Sequence, residues 1–273
     1  MDYSLIKSIF DNDFLLNAIN DDLITENKKQ NYYHFKFCDS DDEKNFMKNL
    51  HLQPKDWYYA HNDVTYTVNS LGYRTKNFNE IDWENSIVMF GCSHIFGVGV
   101  DDEHTVPYFL EKLIGIPVIN MGCGGTGIQY TLHNSLILKD SNFPAPRGVI
   151  CCWHDLLRYH TYSEKFIKKY GAWNFCETSV DFKNASNLIA FNLMNIKMIR
   201  NLWNSQTNYF EFCLKQDTFK LIKQISNFNC KHYNRGLFKI NYKNLARDLL
   251  HYGKDVNYWT AEQIAKDFTN SRR

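Results

Sequence analysis

Apolar positions are scattered through the first third of the chain and gather into short runs after residue 86. Near the start, Leu5, Ile6, Ile9, Phe10 and Phe14 fall at helical spacing, which predicts helix within residues 1–30. Residues 31–60 are polar and aromatic, with a charge run at 39–43 that reads as a solvated face. Residues 65–74 alternate and then reach Gly72, which predicts a strand and a turn. Beyond residue 86, apolar runs at 87–90, 118–121, 148–153 and 209–214 read as buried strands. Amphipathic stretches separate them. Residues 105–114 place Val106, Phe109, Leu110 and Leu113 on one face, with Pro107 in the first turn. Residues 128–138 and 188–203 also read as helices. A closing helix over 260–268 carries Ala261, Ile264, Ala265 and Phe268 on one stripe, with Thr260 and Gln263 as a capping box.

Strands alternating with helices predict an α/β fold: a parallel sheet covered on both faces. In such sheets, sites form at the carboxyl ends of strands. That rule places Ser93, Gly122 and His154 along one rim. The length of 273 residues suits one sizeable core. We divide the chain into an N-terminal extension, 1–60, packing on a core domain, 61–273.

Composition narrows the function classes. A net charge of +1 gives no electrostatic case for nucleic acid or an anionic membrane. The start lacks a basic segment followed by a long apolar run, so no signal peptide is expected. No run approaches the roughly 18 apolar residues of a membrane span. The eight cysteines are expected to be reduced thiols in a cytoplasm. No C-x-x-C pair occurs and Cys151-Cys152 lacks ligand spacing, so no metal is expected. The aromatic cluster Tyr32, Tyr33, Trp57, Tyr58 and Tyr59 either packs on the core or lines a sugar or acyl site. The run Gly122-Cys-Gly-Gly-Thr-Gly127 is out of register with G-x-G-x-x-G, and no Gly-Lys-Ser/Thr follows, which argues against a nucleotide site.

The candidate chemistry begins at Gly91-Cys92-Ser93, directly after the first buried run. A serine hydroxyl is a weak nucleophile until a base takes its proton, and an imidazole suits that task. Asp248-Leu-Leu-His251 offers such a base with a carboxylate three residues away, close enough on one helical turn to orient it.

The order of these segments resembles the SGNH, or GDSL-type, hydrolase family. Gly91-Cys92-Ser93 matches its Gly-Asp-Ser block, and Asn120-Met121-Gly122 matches the second-block glycine. Trp153-His154-Asp155 falls where Gly-x-Asn-Asp belongs, and Asp248-Leu-Leu-His251 matches the terminal Asp-x-x-His. Residues 66–74 look like a lead-in segment, and the resemblance spans roughly 62–268. It implies a flavodoxin-like α/β/α fold and hydrolysis through an acyl-serine. Ser93 would attack, His251 would act as base and then acid, and Asp248 would orient His251. The amides of Ser93 and Gly122 would bind the oxyanion, with no metal or organic cofactor.

Three positions depart from that pattern. Cys92 replaces the usual aspartate, and its thiol is the competing nucleophile. His154 stands where the family's oxyanion asparagine belongs; it either donates its one neutral N–H there or is a structural residue. Asp155, after it, belongs with the substrate-binding set. Tyr252-Gly253 stands where Pro-Gly is common. The expected function is a serine esterase acting on a carbohydrate or small-molecule ester, with short acyl groups favoured. An acyltransferase and a non-catalytic binding protein on the same fold are the alternatives.

Overall fold

The structure, a computed structural model, describes residues 32–162, 167–171, 185–204, 208–225, 229–235 and 244–270. The helix expected within residues 1–30 lies outside them. Strand β1 (Tyr32–Phe35) leads to helix α1 (Glu43–Leu52) and then to β2 (Tyr66–Asn69), which pairs antiparallel with β1. The main sheet begins at β3 (Ile87–Gly91), which runs into the short helix α2 (Ser93–Phe96). Helix α3 (Val106–Ile114), β4 (Val118–Gly122), α4 (Ile128–Asp140) and β5 (Gly148–Trp153) follow. A small hairpin of β6 (Tyr159–Tyr162) and β7 (Ile167–Tyr170) precedes α5 (Ala185–Trp203). Strand β8 (Asn208–Cys213), α6 (Gln216–Ile225), β9 (Lys231–His232) and α7 (Lys254–Asn270) complete the described elements.

Five parallel strands form the main sheet in the order β4-β3-β5-β8-β9. Every residue of β3, β4 and β5 is buried, as a sheet covered on both faces requires. Side chains alternate between the two covers. Val88, Phe90, Ile119, Met121, Val149 and Cys151 join the core that includes α4 and α5. Ile87, Met89, Val118, Ile150 and Cys152 join the core beneath α3 and α7. Thr105 caps α3 by accepting from the Tyr108 amide at 3.3 Å, and Gly115, at φ +66°, ends it.

This strand order sends the chain to one side of β3 and then to the other. The crevice of such a sheet opens at the carboxyl ends of the strands flanking that switch. Gly91 of β3 sits opposite Gly122 of β4, and Phe90 sits opposite Cys151 of β5. Ser93 and His154 therefore leave adjacent strands three residues beyond a paired position.

Some expectations change. The charge run at 39–43 is solvated only in part: Asp39 and Glu43 are exposed, but Asp41 is 1% exposed, and Asp42 caps α1 by accepting from the Asn45 amide at 2.8 Å. The last helix starts at Lys254, so Thr260 is internal. Its hydroxyl donates to the Val256 carbonyl at 2.7 Å and forms no capping box. The described part of the N-terminal extension, up to residue 60, packs against the rest of the chain. There, Tyr33, Phe35, Trp57 and Tyr59 share a core with Tyr66, Val68, Phe96, Val98 and Ala246. Among the described residues, no helix is long and apolar enough to cross a membrane.

Candidate active site

Cys92 is extended, and the chain turns at once into α2, so Ser93 stands at the first helical position above the end of β3. The turn depends on Gly91, because a Cβ there would run into the Ile95 side chain. The first four-residue helix end is tied down from two sides. Asn120 of β4 donates to the Ile95 carbonyl at 3.0 Å, and Arg74 donates to the Gly97 carbonyl at 2.6 Å. These donors satisfy carbonyls that a helix terminus leaves open.

The imidazole arrives from the far end of the chain. Asp248 and His251 lie on a tight turn rather than a helix, with Leu249 in the left-handed region at φ +57°. Left-handed backbone is costly for a branched residue and marks a site held by its surroundings. The Ala246 amide donates to the His251 carbonyl at 2.9 Å and closes the turn. Gly99, at φ +79°, lets the loop after α2 approach this turn: a Cβ there would lie 2.7 Å from Ala246 Cβ and 3.1 Å from the Arg247 amide.

The three side chains line up. Ser93 Oγ is 2.8 Å from His251 Nε2, and His251 Nδ1 is 2.6 Å from Asp248 Oδ2. Burial would push the Asp248 carboxyl up. Hydrogen bonds from His251, Ser40 and the backbone, with the His251 charge, hold it below the usual carboxylate range. An ionised carboxylate only accepts, so the proton sits on Nδ1 and Nε2 is left to accept from Ser93. Ser93 and Asp248 are each 5% exposed, so this relay is largely shielded from water.

The expected oxyanion residues fare differently. Gly122 ends β4 with its amide donated to Asn120 Oδ1 at 2.9 Å, which takes that N–H away from a substrate oxygen. Its lack of a side chain serves packing, since a Cβ would collide with the Phe96 amide. The glycine that approaches the serine is Gly124, whose Cβ position is 4.0 Å from Ser93 Cβ. Asp155 is also committed elsewhere. Its carboxylate accepts from the Leu157 amide at 3.0 Å and pairs with Lys215 at 3.1 Å. Burial would raise it, but these two donors hold its carboxyl low, and a fixed anion cannot stabilise an oxyanion. His154 is 6% exposed, and its Nδ1 has no hydrogen-bond partner among the described residues. Burial first, and the Arg158 charge next, push its imidazole down to about 3, so the ring is neutral.

No protein-family model matches the chain, and no curated protein matches it by sequence. Solved structures do match. A protein from Bacteroides ovatus, named as a GDSL-like lipase, is 12% identical over 70% of this chain, with a TM-score of 0.42. The match spans 55% of that protein's length. A protein from Desulfitobacterium hafniense, named as lipolytic and of the G-D-S-L family, is 15% identical over 67% of this chain and 99% of its own, with a TM-score of 0.38. An acetyl xylan esterase from Butyrivibrio proteoclasticus is 10% identical over 77% of this chain and 67% of its own, with a TM-score of 0.45. These structural neighbours are GDSL-type lipases and an esterase.

Two residues near the site carried no sequence signal. Ser40 donates to Asp248 Oδ2 at 2.7 Å from a distance of 208 positions along the chain. Asp39, exposed and at φ +59°, reaches the Cβ position of Gly124. Cys92 is buried beside the serine, and the imidazole partner at hydrogen-bond distance is given to Ser93.

Proposed function

We propose that this protein is a serine esterase of the SGNH/GDSL type that hydrolyses a short acyl ester of a carbohydrate or other small molecule. One observation carries the reading: Ser93, His251 and Asp248 form a continuous hydrogen-bonded line at the switch point of a parallel sheet. In this reading Ser93 Oγ attacks the ester carbonyl while its proton passes to His251 Nε2. The imidazolium, held by Asp248, then protonates the departing alcohol and leaves an acyl-serine. Water, deprotonated by His251, attacks that acyl group, and Ser93 regains its proton as the acid leaves.

The Ser93 and Gly124 amides and the neutral His154 ring are the candidate donors to the tetrahedral oxygen. The rings of His94 and Tyr252, centred 5.6 Å apart, pack beside His251, with His94 5.0 Å from it. Bulk on that side favours a short acyl group.

A fluorophosphonate probe tests the nucleophile. Wild type should label, Ser93→Ala should not, and Cys92→Ser should label like wild type. Labelling that survives in Ser93→Ala overturns the assignment. Product analysis with and without an acceptor alcohol separates hydrolysis from transfer.

A further inference from the structure

We infer that Ser40, on the N-terminal arm, is a positioning residue that sets the basicity of the His251–Asp248 pair; the inference rests on the esterase reading above. Asp248 Oδ1 accepts from the Leu250 and His251 amides, both at 3.0 Å. Its Oδ2 accepts from two donors at once: His251 Nδ1 at 2.6 Å and Ser40 Oγ at 2.7 Å. Ser40 is the one donor, among the described residues, that comes from outside the base loop. Two donors on one oxygen divide its charge, so the Ser40 hydroxyl moderates the pull of Asp248 on the imidazolium.

The turn that presents Ser40 is fixed. Cys38 and Asp41 exchange backbone hydrogen bonds at 2.9 and 3.0 Å, with Asp39 left-handed between them. Asp41 accepts from Arg247 Nη2 at 2.7 Å, the residue beside Asp248, and from the Tyr66 hydroxyl at 2.5 Å. Tyr66 in turn accepts from the Gly99 amide at 2.7 Å. The arm is thus coupled to both the base loop and the loop behind the nucleophile, and Ser40 is delivered to Asp248 with little freedom.

Other titratable and charged groups surround this pair. His94 faces it from α2, and Tyr252 flanks it in its own loop. Arg235, Arg158 and Lys215 act on His94, and Asp41 acts on Asp248. A change confined to the Ser40 hydroxyl leaves all of these in place, so a shift between variants reports that hydroxyl.

Ser40→Ala should leave Asp248 a stronger acceptor and raise the affinity of His251 for its proton. The acid limb of kcat/KM on a short aryl ester should move up by about half a pH unit, and kcat should fall roughly tenfold. Ser40→Thr, which keeps the hydroxyl, should restore both. His251 titration followed by ring-proton NMR should move the same way in Ser40→Ala, and that readout needs no turnover. An unmoved His251 titration in a folded Ser40→Ala protein overturns the inference. If the alanine variant does not fold, the threonine and cysteine variants take its place, with cysteine expected between alanine and wild type. Failure of wild type to label or turn over would count against the esterase reading alone.

Discussion

Arg74 offers a direct test of how Ser93 is held. Its guanidinium, in a residue 8% exposed, donates to the Gly97 carbonyl at 2.6 Å, Phe96 at 3.3 Å, Val100 at 3.0 Å and Thr65 at 3.3 Å. It also meets Asp102 at 2.5 and 2.8 Å, and lies 4.7 Å from the centre of the Tyr66 ring. The Asp102 side chain is 39% exposed, so the ion pair itself contributes at most about 1 kcal/mol. The larger share lies with the carbonyls at the end of α2 and in its following loop. A lysine keeps the charge but gathers its donors on one atom, so it cannot span that fork. Arg74→Lys should leave about two buried carbonyls without a donor, at about 1–3 kcal/mol each. We expect a loss near 4 kcal/mol, read as a lower urea midpoint at constant slope. The released loop should also slow fluorophosphonate labelling of Ser93. A loss under about 1 kcal/mol with labelling unchanged would refute the reasoning.

Asp248→Asn should keep the fold and lower kcat by roughly 10⁴, as loss of the orienting carboxylate does in serine triads. Because the Asp248 carboxyl is held low, its stabilising share is present above the unfolded value near 3.9 and fades as pH falls through its lower folded value. The stability gap between wild type and Asp248→Asn should therefore be flat from neutral pH down to about 4 and close below it, which acid-titrated urea curves would check. Gly122→Ala and Gly124→Ala should differ. At Gly122 a Cβ meets the Phe96 amide and lies 2.9 Å from the Ile95 carbonyl carbon, so α2 must shift and both stability and labelling fall. At Gly124 the obstacle is the carboxylate tip of exposed Asp39, so thermal unfolding should change little. Equal thermal losses in the two variants would contradict this placement.

What the sequence made legible was local. Four largely apolar runs and the helices between them follow from periodicity, and the parallel order follows from their alternation. Ser93 and the Asp248–His251 pair were readable because each is a short motif at a turn. Gly122 and Asp155 were assigned from the resemblance to family blocks, and a block match does not say where an amide or a carboxylate is already committed. Gly122 donates to Asn120 two residues back, while Gly124, two residues on, is the one beside Ser93. A run with four glycines in six positions offers no local reason to choose between them.

The N-terminal arm was illegible for a different reason. An acidic run such as Asp39–Ser40–Asp41–Asp42 has the composition of a solvated face, and the burial of Asp41 within it involves a partner more than 200 residues away. Arg247, in the last loop, donates to Asp41 at 2.7 Å. Its guanidinium lies 4.4 Å from the centre of the Phe37 ring and 5.2 Å from that of Phe46. The polar aromatic segment is what makes this possible: Tyr66, Phe37 and Phe46 supply rings around the pair, and the Tyr66 hydroxyl completes the Asp41 acceptors. Arg247 and Asp248 are neighbours, so the ion pair that docks the arm and the carboxylate that holds the His251 ring share one stretch of backbone. A chain cut between the arm and β2 would therefore lose not a lid but two of the groups that fix Asp248, Ser40 directly and Asp41 through Arg247.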